Sequence, residues 1–275
     1  MSTENNIKLI VCDIDGTLVN DERNLTMLTK ETLEKLHQKG IKFGIASGRA
    51  VSELKRFANL WNLSFPIDII IGMNGAELWD EGQQKQFDYF KMKKSWIKEV
   101  LDIMRPFKLN PYMIKNDSLY CMVKDDLMER SSKRNGCPVI EVKDESEFYD
   151  EENAKIMFRM DRDKIDDIMA YAKERITGEY TAFKTQPDMI EFTHVKTDKA
   201  NALLEYAKMN GIDMQDIMSF GDMTNDNGML KASGIGVCLK NGGEDTKQCA
   251  DYITEHTNNE DGFARFLIEH GYIIL

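Results

Sequence analysis

The first apolar run of this chain ends in two aspartates, and no other feature constrains the fold as strongly. Residues 7–12, Ile-Lys-Leu-Ile-Val-Cys, precede the segment Asp-Ile-Asp-Gly-Thr-Leu at 13–18. A run rich in Ile, Leu and Val is typical of a buried strand, which would hold the following residues at one edge of a sheet. Alternate side chains of an extended chain share a face, so we expect Asp13 and Asp15 to address one site before Gly16 turns the chain.

Two carboxylates in such a position need a partner. They repel each other unless a cation or a shared proton intervenes, which points to metal chemistry or to acid/base work. An EF-hand calcium loop is excluded because its sixth residue must be glycine, and Leu18 occupies that position here. A simple turn with solvated acids is the remaining alternative at this stage.

Composition limits the class of protein. The chain has 275 residues, a formal charge of -11 and five cysteines, and this length suits about two domains. The negative charge argues against nucleic acids and membrane surfaces as partners, since both are polyanionic. The cysteines form no C-x-x-C pair, which disfavours a disulfide framework or a zinc site. Residues 1–6 show no leader pattern and no apolar run approaches a membrane span, so we expect a cytoplasmic protein.

The order of segments in the first third is typical of a parallel sheet. Strand and helix patterns alternate, and each strand ends in small or polar residues. The predicted segments are strand 7–12, helix 29–39, strand 41–46, helix 51–61 and strand 67–72. Ligands of open α/β sheets bind at the carboxyl ends of the strands. Ser47-Gly48-Arg49 and Met73-Asn74-Gly75 follow two of these strands and are therefore candidate site residues.

The middle of the chain has the pattern of a separate α+β domain. It contains two predicted helices, a hairpin across Asn116-Asp117 and several strands. After His194 the alternation resumes, and a strand at 217–220 leads into a second acidic segment, 222–226. The simplest explanation is a domain at 82–194 inserted into a sheet domain made of 1–81 and 195–275. The two acidic segments can then converge if their strands are neighbours.

These motifs resemble, in order and position, those of the haloacid dehalogenase superfamily, and of its Cof-type phosphatases in particular. The matching residues are 13–18 for the first motif, Ser47-Gly48-Arg49 for the second, Lys199 for the third, Gly221-Asp222 with Asn225-Asp226 for the fourth, and the subfamily positions Asn74-Gly75 and Asn241-Gly242. The resemblance covers essentially the whole chain. It implies an α/β fold: a doubly wound, Rossmann-like parallel sheet core with an inserted α+β cap that selects the substrate.

The resemblance also implies a reaction. The protein would be a Mg²⁺-dependent phosphatase acting on small phosphorylated metabolites, such as sugar phosphates, flavin mononucleotide or pyridoxal phosphate, through a phospho-aspartate. The implied roles are Asp13 as nucleophile, Asp15 as general acid and base, Lys199 as neutralising cation, Ser47 and Gly48 as phosphate-binding residues, and Arg49, Asn74, Gly75 and Asn225 as supporting residues. The implied metal ligands are the Asp13 carboxylate, the Asp15 backbone carbonyl, Asp222, and Asp226 directly or from behind.

Two alternatives share these motifs. A phosphomutase would use the same aspartates, and a catalytically idle sugar-phosphate-binding regulator would keep the fold; the intact Asp13, Asp15, Lys199 and Asp222 disfavour the regulator. A P-loop kinase is excluded because the chain has no Gly-Lys dipeptide. The motifs leave open which metabolite is cleaved and which oligomer forms.

Overall fold

The computed structural model describes residues 7–274, which fall into two compact units. The first unit comprises Met1–Tyr89 with Asp198–Leu275, and the second is Phe90–Thr197. Residues 1–6, on which the expectation about a leader segment rests, lie outside the described part of the chain. No helix within residues 7–274 is both long enough and apolar enough to cross a membrane.

The elements are named in chain order. The strands are β1 (Leu9–Asp13), β2 (Lys42–Ala46), β3 (Ile69–Gly72), β4 (Glu77–Asp80), β5 (Lys85–Asp88), β6 (Pro111–Lys115), β7 (Ser118–Cys121), β8 (Val139–Glu141), β9 (Lys155–Arg159), β10 (Tyr180–Gln186), β11 (Met189–His194), β12 (Ile217–Gly221), β13 (Ile235–Cys238) and β14 (Tyr252–Ile253). The helices are α1 (Met27–Gln38), α2 (Val51–Asn59), α3 (Lys94–Met104), α4 (Asp126–Asn135), α5 (Ile165–Lys173), α6 (Lys199–Asn210), α7 (Asn227–Ala232), α8 (Glu244–Lys247) and α9 (Gly262–Glu269).

The first unit is built on an eight-stranded sheet in the order β14-β13-β12-β1-β2-β3-β4-β5. The six strands from β14 to β3 are parallel, and β4 and β5 extend the sheet as an antiparallel hairpin. The predicted α/β parallel sheet is therefore confirmed. β1 lies directly between β12 and β2, so the strands that carry the two acidic segments are neighbours.

Helices cover both faces of this sheet because every central strand is apolar on both sides. Ile10 and Cys12 of β1 pack into the cluster formed with α1, α2 and α9. Leu9 and Val11 point the other way, into the cluster formed with α6 and α7. Each fully buried Leu, Ile or Val side chain contributes about 1.5–3 kcal/mol. The carboxyl end of β1, where Asp13 lies, is thereby held rigidly.

The second unit is a six-stranded sheet in the order β10-β11-β9-β6-β7-β8, with α3 and α5 packed on one face. The predicted hairpin is confirmed: β6 and β7 pair antiparallel across Asn116 and Asp117, both with positive φ, as a tight two-residue turn requires. The boundaries differ slightly from those expected at 82 and 194. Residues 85–88 pair with β4, so the first unit continues to Tyr89 and resumes at Asp198.

Candidate active site

Three carboxylates meet around one buried lysine at the carboxyl edge of the first sheet. The Nζ of Lys199 donates to Asp13 Oδ1 at 2.5 Å and to Asp226 Oδ1 at 2.7 Å. Lys199 has no accessible surface. Carboxylate oxygens of Asp13, Asp222 and Asp226 lie within 4.8 Å of one another. The two acidic segments, which can meet only if their strands are neighbours, thus converge in the structure, and Lys199 lies against both.

Burial dominates the electrostatics of this cluster. It raises the pKa of Asp13 well above its ordinary value, and Lys199 only partly offsets that rise. Burial likewise raises the pKa of Asp222 to about 6. Burial alone would lower the pKa of Lys199, but the carboxylates of Asp13 and Asp226 outweigh it and raise that pKa. Lys199 is thus held as a cation, but its single positive charge does not balance the negative charge of the surrounding carboxylates.

The donor set fits a divalent cation. Three ionised carboxylates and one ammonium group leave a formal charge of minus two, and hard oxygen donors are what Mg²⁺ and Ca²⁺ prefer. The two oxygens of Asp226 are already engaged, Oδ1 by Lys199 and Oδ2 by the backbone N–H groups of Asp222 and Met223. Asp13 and Asp222 would therefore be better placed than Asp226 to bind a cation directly.

The turn after β1 is fitted against Asp222. Thr17 Oγ1 donates to Asp222 Oδ1 at 2.7 Å. Gly16 has a φ of 88°, and a Cβ at this position would lie 2.5 Å from Asp222 Oδ2, so both backbone and space require glycine. The Gly16 carbonyl accepts a hydrogen bond from Asn241 Nδ2 at 2.8 Å. No specific role was predicted for Thr17 or Asn241, although both lie in motifs singled out in the sequence.

Asp15 is not one of the three clustered carboxylates, and its side chain is paired with arginines. Its carboxylate accepts from Arg49 Nη2 at 2.9 Å, and Arg23 Nε lies 3.7 Å from it. That Asp13 and Asp15 address one site therefore stays a prediction, and the structure pairs the two carboxylates with different cations. β1 ends at Asp13, so the alternation of an extended strand does not continue to Asp15. Each carboxylate is paired with its own cation, Lys199 for Asp13 and Arg49 for Asp15.

The segments after β2 and β3 are joined to the fourth motif by Asn74. Its backbone N–H donates to the Ser47 carbonyl at 3.0 Å, and its Oδ1 accepts from Asn225 Nδ2 at 3.2 Å. A Cβ on Gly48 would lie 3.3 Å from that same Oδ1. Ser47 and Asn74 are both buried. Ser47, Asn74 and Asn225 are thus joined by hydrogen bonds, and Gly48 lies close to the Asn74 amide.

A left-handed turn connects this group to Lys199. Met73, Asn74 and Gly75 all have positive φ, with 103° at Gly75. A Cβ on Gly75 would lie 2.2 Å from the Asp198 carbonyl oxygen. Asp198 caps α6, whose first residue is Lys199, by accepting from the Ala200 N–H. The close approach at Gly75 therefore sets where the helix carrying the lysine begins.

Gly75→Ala tests this packing. We expect it to lower the free energy of unfolding by about 3 kcal/mol or more, from backbone strain plus the clash with Asp198, and to reduce turnover by displacing Lys199. Gly211→Ala is the matched control, since Gly211 ends the same helix with φ 61° and has open space around its Cα; it should cost about 1–2 kcal/mol. Denaturant unfolding of both variants makes the comparison, and equal losses would contradict the packing argument.

Comparison with known proteins finds similarity over nearly the whole chain. Residues 10–267 match the sequence profile of the haloacid dehalogenase-like hydrolases. The chain is 28% identical over 264 residues to the 5-amino-6-(5-phospho-D-ribitylamino)uracil phosphatase YcsE of Bacillus subtilis, with 94% of each chain covered. It is 26% identical to phosphatase YwpJ of the same organism, covering 95% of this chain and 99% of that one. A haloacid dehalogenase-like hydrolase from Bacteroides thetaiotaomicron superposes with a TM-score of 0.87 at 26% identity, covering 96% and 99% of the two chains.

Proposed function

We propose that this chain, which belongs to the haloacid dehalogenase-like hydrolase family and is a phosphoric monoester hydrolase, cleaves small phosphorylated metabolites with Mg²⁺ through a phosphorylated Asp13. The resemblance predicted from the motifs is confirmed by the match over residues 10–267. One observation is the main support for this mechanism: the carboxylates of Asp13, Asp222 and Asp226 converge on Lys199, which has no accessible surface.

Asp13 is the proposed nucleophile. One of its oxygens attacks phosphorus, the bond from phosphorus to the leaving oxygen breaks, and that oxygen takes a proton. A water molecule then attacks phosphorus in the acyl phosphate and loses a proton, which releases phosphate and regenerates Asp13. Lys199, bound to Asp13 at 2.5 Å, neutralises charge on both the carboxylate and the incoming phosphoryl group.

The Asp13 and Asp222 carboxylates and the Asp15 backbone carbonyl are the proposed Mg²⁺ ligands, with Asp226 behind them. When bound, the ion would offset the repulsion between an anionic nucleophile and a dianionic phosphate. The excess negative charge of the cluster and the raised pKa of Asp13 support this assignment. Calorimetric titration of Mg²⁺ into the metal-free protein measures it independently of turnover.

The phosphoryl oxygens are proposed to bind the Ser47 hydroxyl, the Gly48 backbone N–H and Lys199. Ser47 is 4% exposed, so little water competes for its hydroxyl. Asn74 holds this segment by donating to the Ser47 carbonyl and by accepting from Asn225. Asn225 is thus assigned an orienting role.

Asp15 is the proposed general acid and base. Asp15→Asn should lower kcat by roughly two to four orders of magnitude, the usual scale for removing such a group. Mg²⁺ affinity should change little, because the proposed contact to the ion is through the backbone of Asp15. Steady-state kinetics and calorimetry measure the two quantities. A collapse of Mg²⁺ binding with a modest loss of rate would reassign the Asp15 side chain to the metal.

The substrate class is tested with a panel of phosphate esters. We assign the choice among them to the second unit, Phe90–Thr197, on the strength of the family resemblance. The panel contains hexose, pentose and tetrose phosphates, flavin mononucleotide, pyridoxal phosphate and 5-amino-6-(5-phospho-D-ribitylamino)uracil, the compound in the name of one relative. Phosphate release is expected with Mg²⁺ and should stop with excess chelator. No release from any member with Mg²⁺ would contradict the proposal.

A further inference from the structure

Arg49 is engaged from two sides by carboxylates of the first unit. Its Nε and Nη2 donate to both oxygens of Asp15 at 2.9–3.1 Å, and its Nη1 donates to Glu53 Oε1 at 2.5 Å. The side chains of Arg49 and Glu53 are 11% and 12% exposed. The ring of Phe57 lies under the guanidinium, 5.6 Å from its centre. The arginine is therefore fixed in its orientation as well as in its position.

The sequence explains why this arrangement forms. Glu53 and Phe57 are four residues apart on α2, so they lie on one face of the helix. Arg49 precedes that helix, and its carbonyl accepts from the Met73 backbone N–H at 2.7 Å, which fixes its main chain. A guanidinium can bind both oxygens of a carboxylate at once, and a lysine ammonium cannot.

The hydrogen bonds of Arg49 decide between two roles for this side chain. Its motif neighbours Ser47 and Gly48 are proposed to bind phosphate, which suggests the same for the arginine. However, the Nε, Nη1 and Nη2 atoms of Arg49 already donate to the carboxylates of Asp15 and Glu53. The donors of its guanidinium are therefore directed at carboxylates of the protein. Arg49 is therefore better placed to hold Asp15 than to bind phosphate.

We propose that Arg49 is a positioning residue that acts on the reaction through Asp15, with Glu53 holding Arg49 in place. This rests on the proposed function, in which Asp15 passes a proton to the leaving oxygen as the bond to phosphorus breaks. The importance of that proton depends on the leaving group. An alkoxide needs it, whereas a nitrophenolate is stable enough to leave without it.

The test compares two substrates across one set of variants. In Arg49→Ala, kcat/KM for an alkyl phosphate should fall by roughly 100-fold, the low end of general acid effects, and kcat/KM for p-nitrophenyl phosphate by less than about 5-fold. Arg49→Lys should recover only part of the loss. In an Asp15→Asn background, Arg49→Ala should have no further effect on the alkyl substrate, because the group through which it acts is gone.

Several controls separate this inference from a folding defect and from the proposed function. Arg265→Ala, at an exposed arginine of α9 that donates to the Glu260 carbonyl, should change neither rate. If Arg49→Ala does not fold, Glu53→Ala provides the same comparison. We expect it to lower kcat/KM for the alkyl phosphate more than for p-nitrophenyl phosphate, but by a smaller ratio than Arg49→Ala. Glu53→Gln, which keeps an acceptor for Arg49 Nη1, should restore most of the rate.

The outcomes are distinct. Equal losses on both substrates, or losses that add to that of Asp15→Asn, would overturn the role of Arg49 while the wild-type protein remained a phosphatase. Absence of Mg²⁺-dependent turnover in the wild-type protein would instead overturn the proposed function. Calorimetric titration with Mg²⁺ adds a readout independent of turnover: the affinity should be the same in Arg49→Ala and wild type, and a large change would show that Arg49 acts through the metal ligands rather than through Asp15.

Discussion

Replacing Asp13 with asparagine is expected to abolish phosphate release, by roughly four orders of magnitude or more, while the protein still folds. The amide keeps the size of the side chain but is no longer an anion able to form an acyl phosphate. Folding should survive because burial already disfavours the Asp13 charge, as its raised pKa indicates. Phosphate assays and thermal unfolding measure the two properties.

Asp216→Asn is the control for this variant. Asp216 is also an aspartate of the first unit, but it pairs with Lys8 at the surface, and its replacement should leave turnover unchanged. Mass spectrometry of rapidly quenched wild-type enzyme should detect one added phosphoryl group, and the same experiment on Asp13→Asn should detect none. Near wild-type turnover in Asp13→Asn would show that another residue is the nucleophile.

The convergence of the acidic segments could be predicted because it depends on strand topology. Apolar runs identify β1 and β12 from the sequence, and polar residues after parallel strands meet at one sheet edge. The remaining condition was that β1 and β12 be neighbours, and Leu9 pairs with Ile217 in the structure. Such a prediction needs only the order of strands, which hydrophobic patterning largely reveals.

The partners of the Asp15 side chain could not be predicted in this way. Strand alternation stops at Asp13, and beyond that point the turn and its long-range partners decide orientation. Arg49 lies 34 positions away in sequence and Glu53 is a further four residues along. Neither partner follows from a hydrophobic period or a local propensity, so the ion pairs that hold the Asp15 carboxylate emerge only when the chain is folded.

Elements with little apolar content were missed for a related reason. α4 contains mostly polar residues over Asp126–Asn135, although Asp125 caps its start and Gly136 ends it with a left-handed φ. β5 is a polar strand, Lys-Gln-Phe-Asp, and it extends the sheet through pairing with β4. Tertiary contacts and caps define both elements, whereas the hydrophobic periodicity on which prediction relies is weak in them.

The second large effect is expected at Lys199. Lys199→Met preserves much of the side chain's volume but removes the cation that binds Asp13 and Asp226. Removing one partner of a buried ion pair costs about 3–5 kcal/mol because the other charge is left uncompensated. In the metal-free protein we expect a loss of that size in the free energy of unfolding, measured with denaturant. Turnover should fall by roughly two to three orders of magnitude, the scale for losing electrostatic stabilisation of a transition state.

A second substitution separates the two losses. Asp226→Asn in the Lys199→Met background removes one of the uncompensated carboxylates while keeping an oxygen to accept the backbone N–H groups of Asp222 and Met223. The double variant should regain part of the lost stability and none of the lost turnover, because the charge balance is improved but the cation that meets the phosphoryl group is still absent. Recovery of turnover together with stability would mean that Lys199 serves the fold alone, and its proposed part in the chemistry would have to be abandoned.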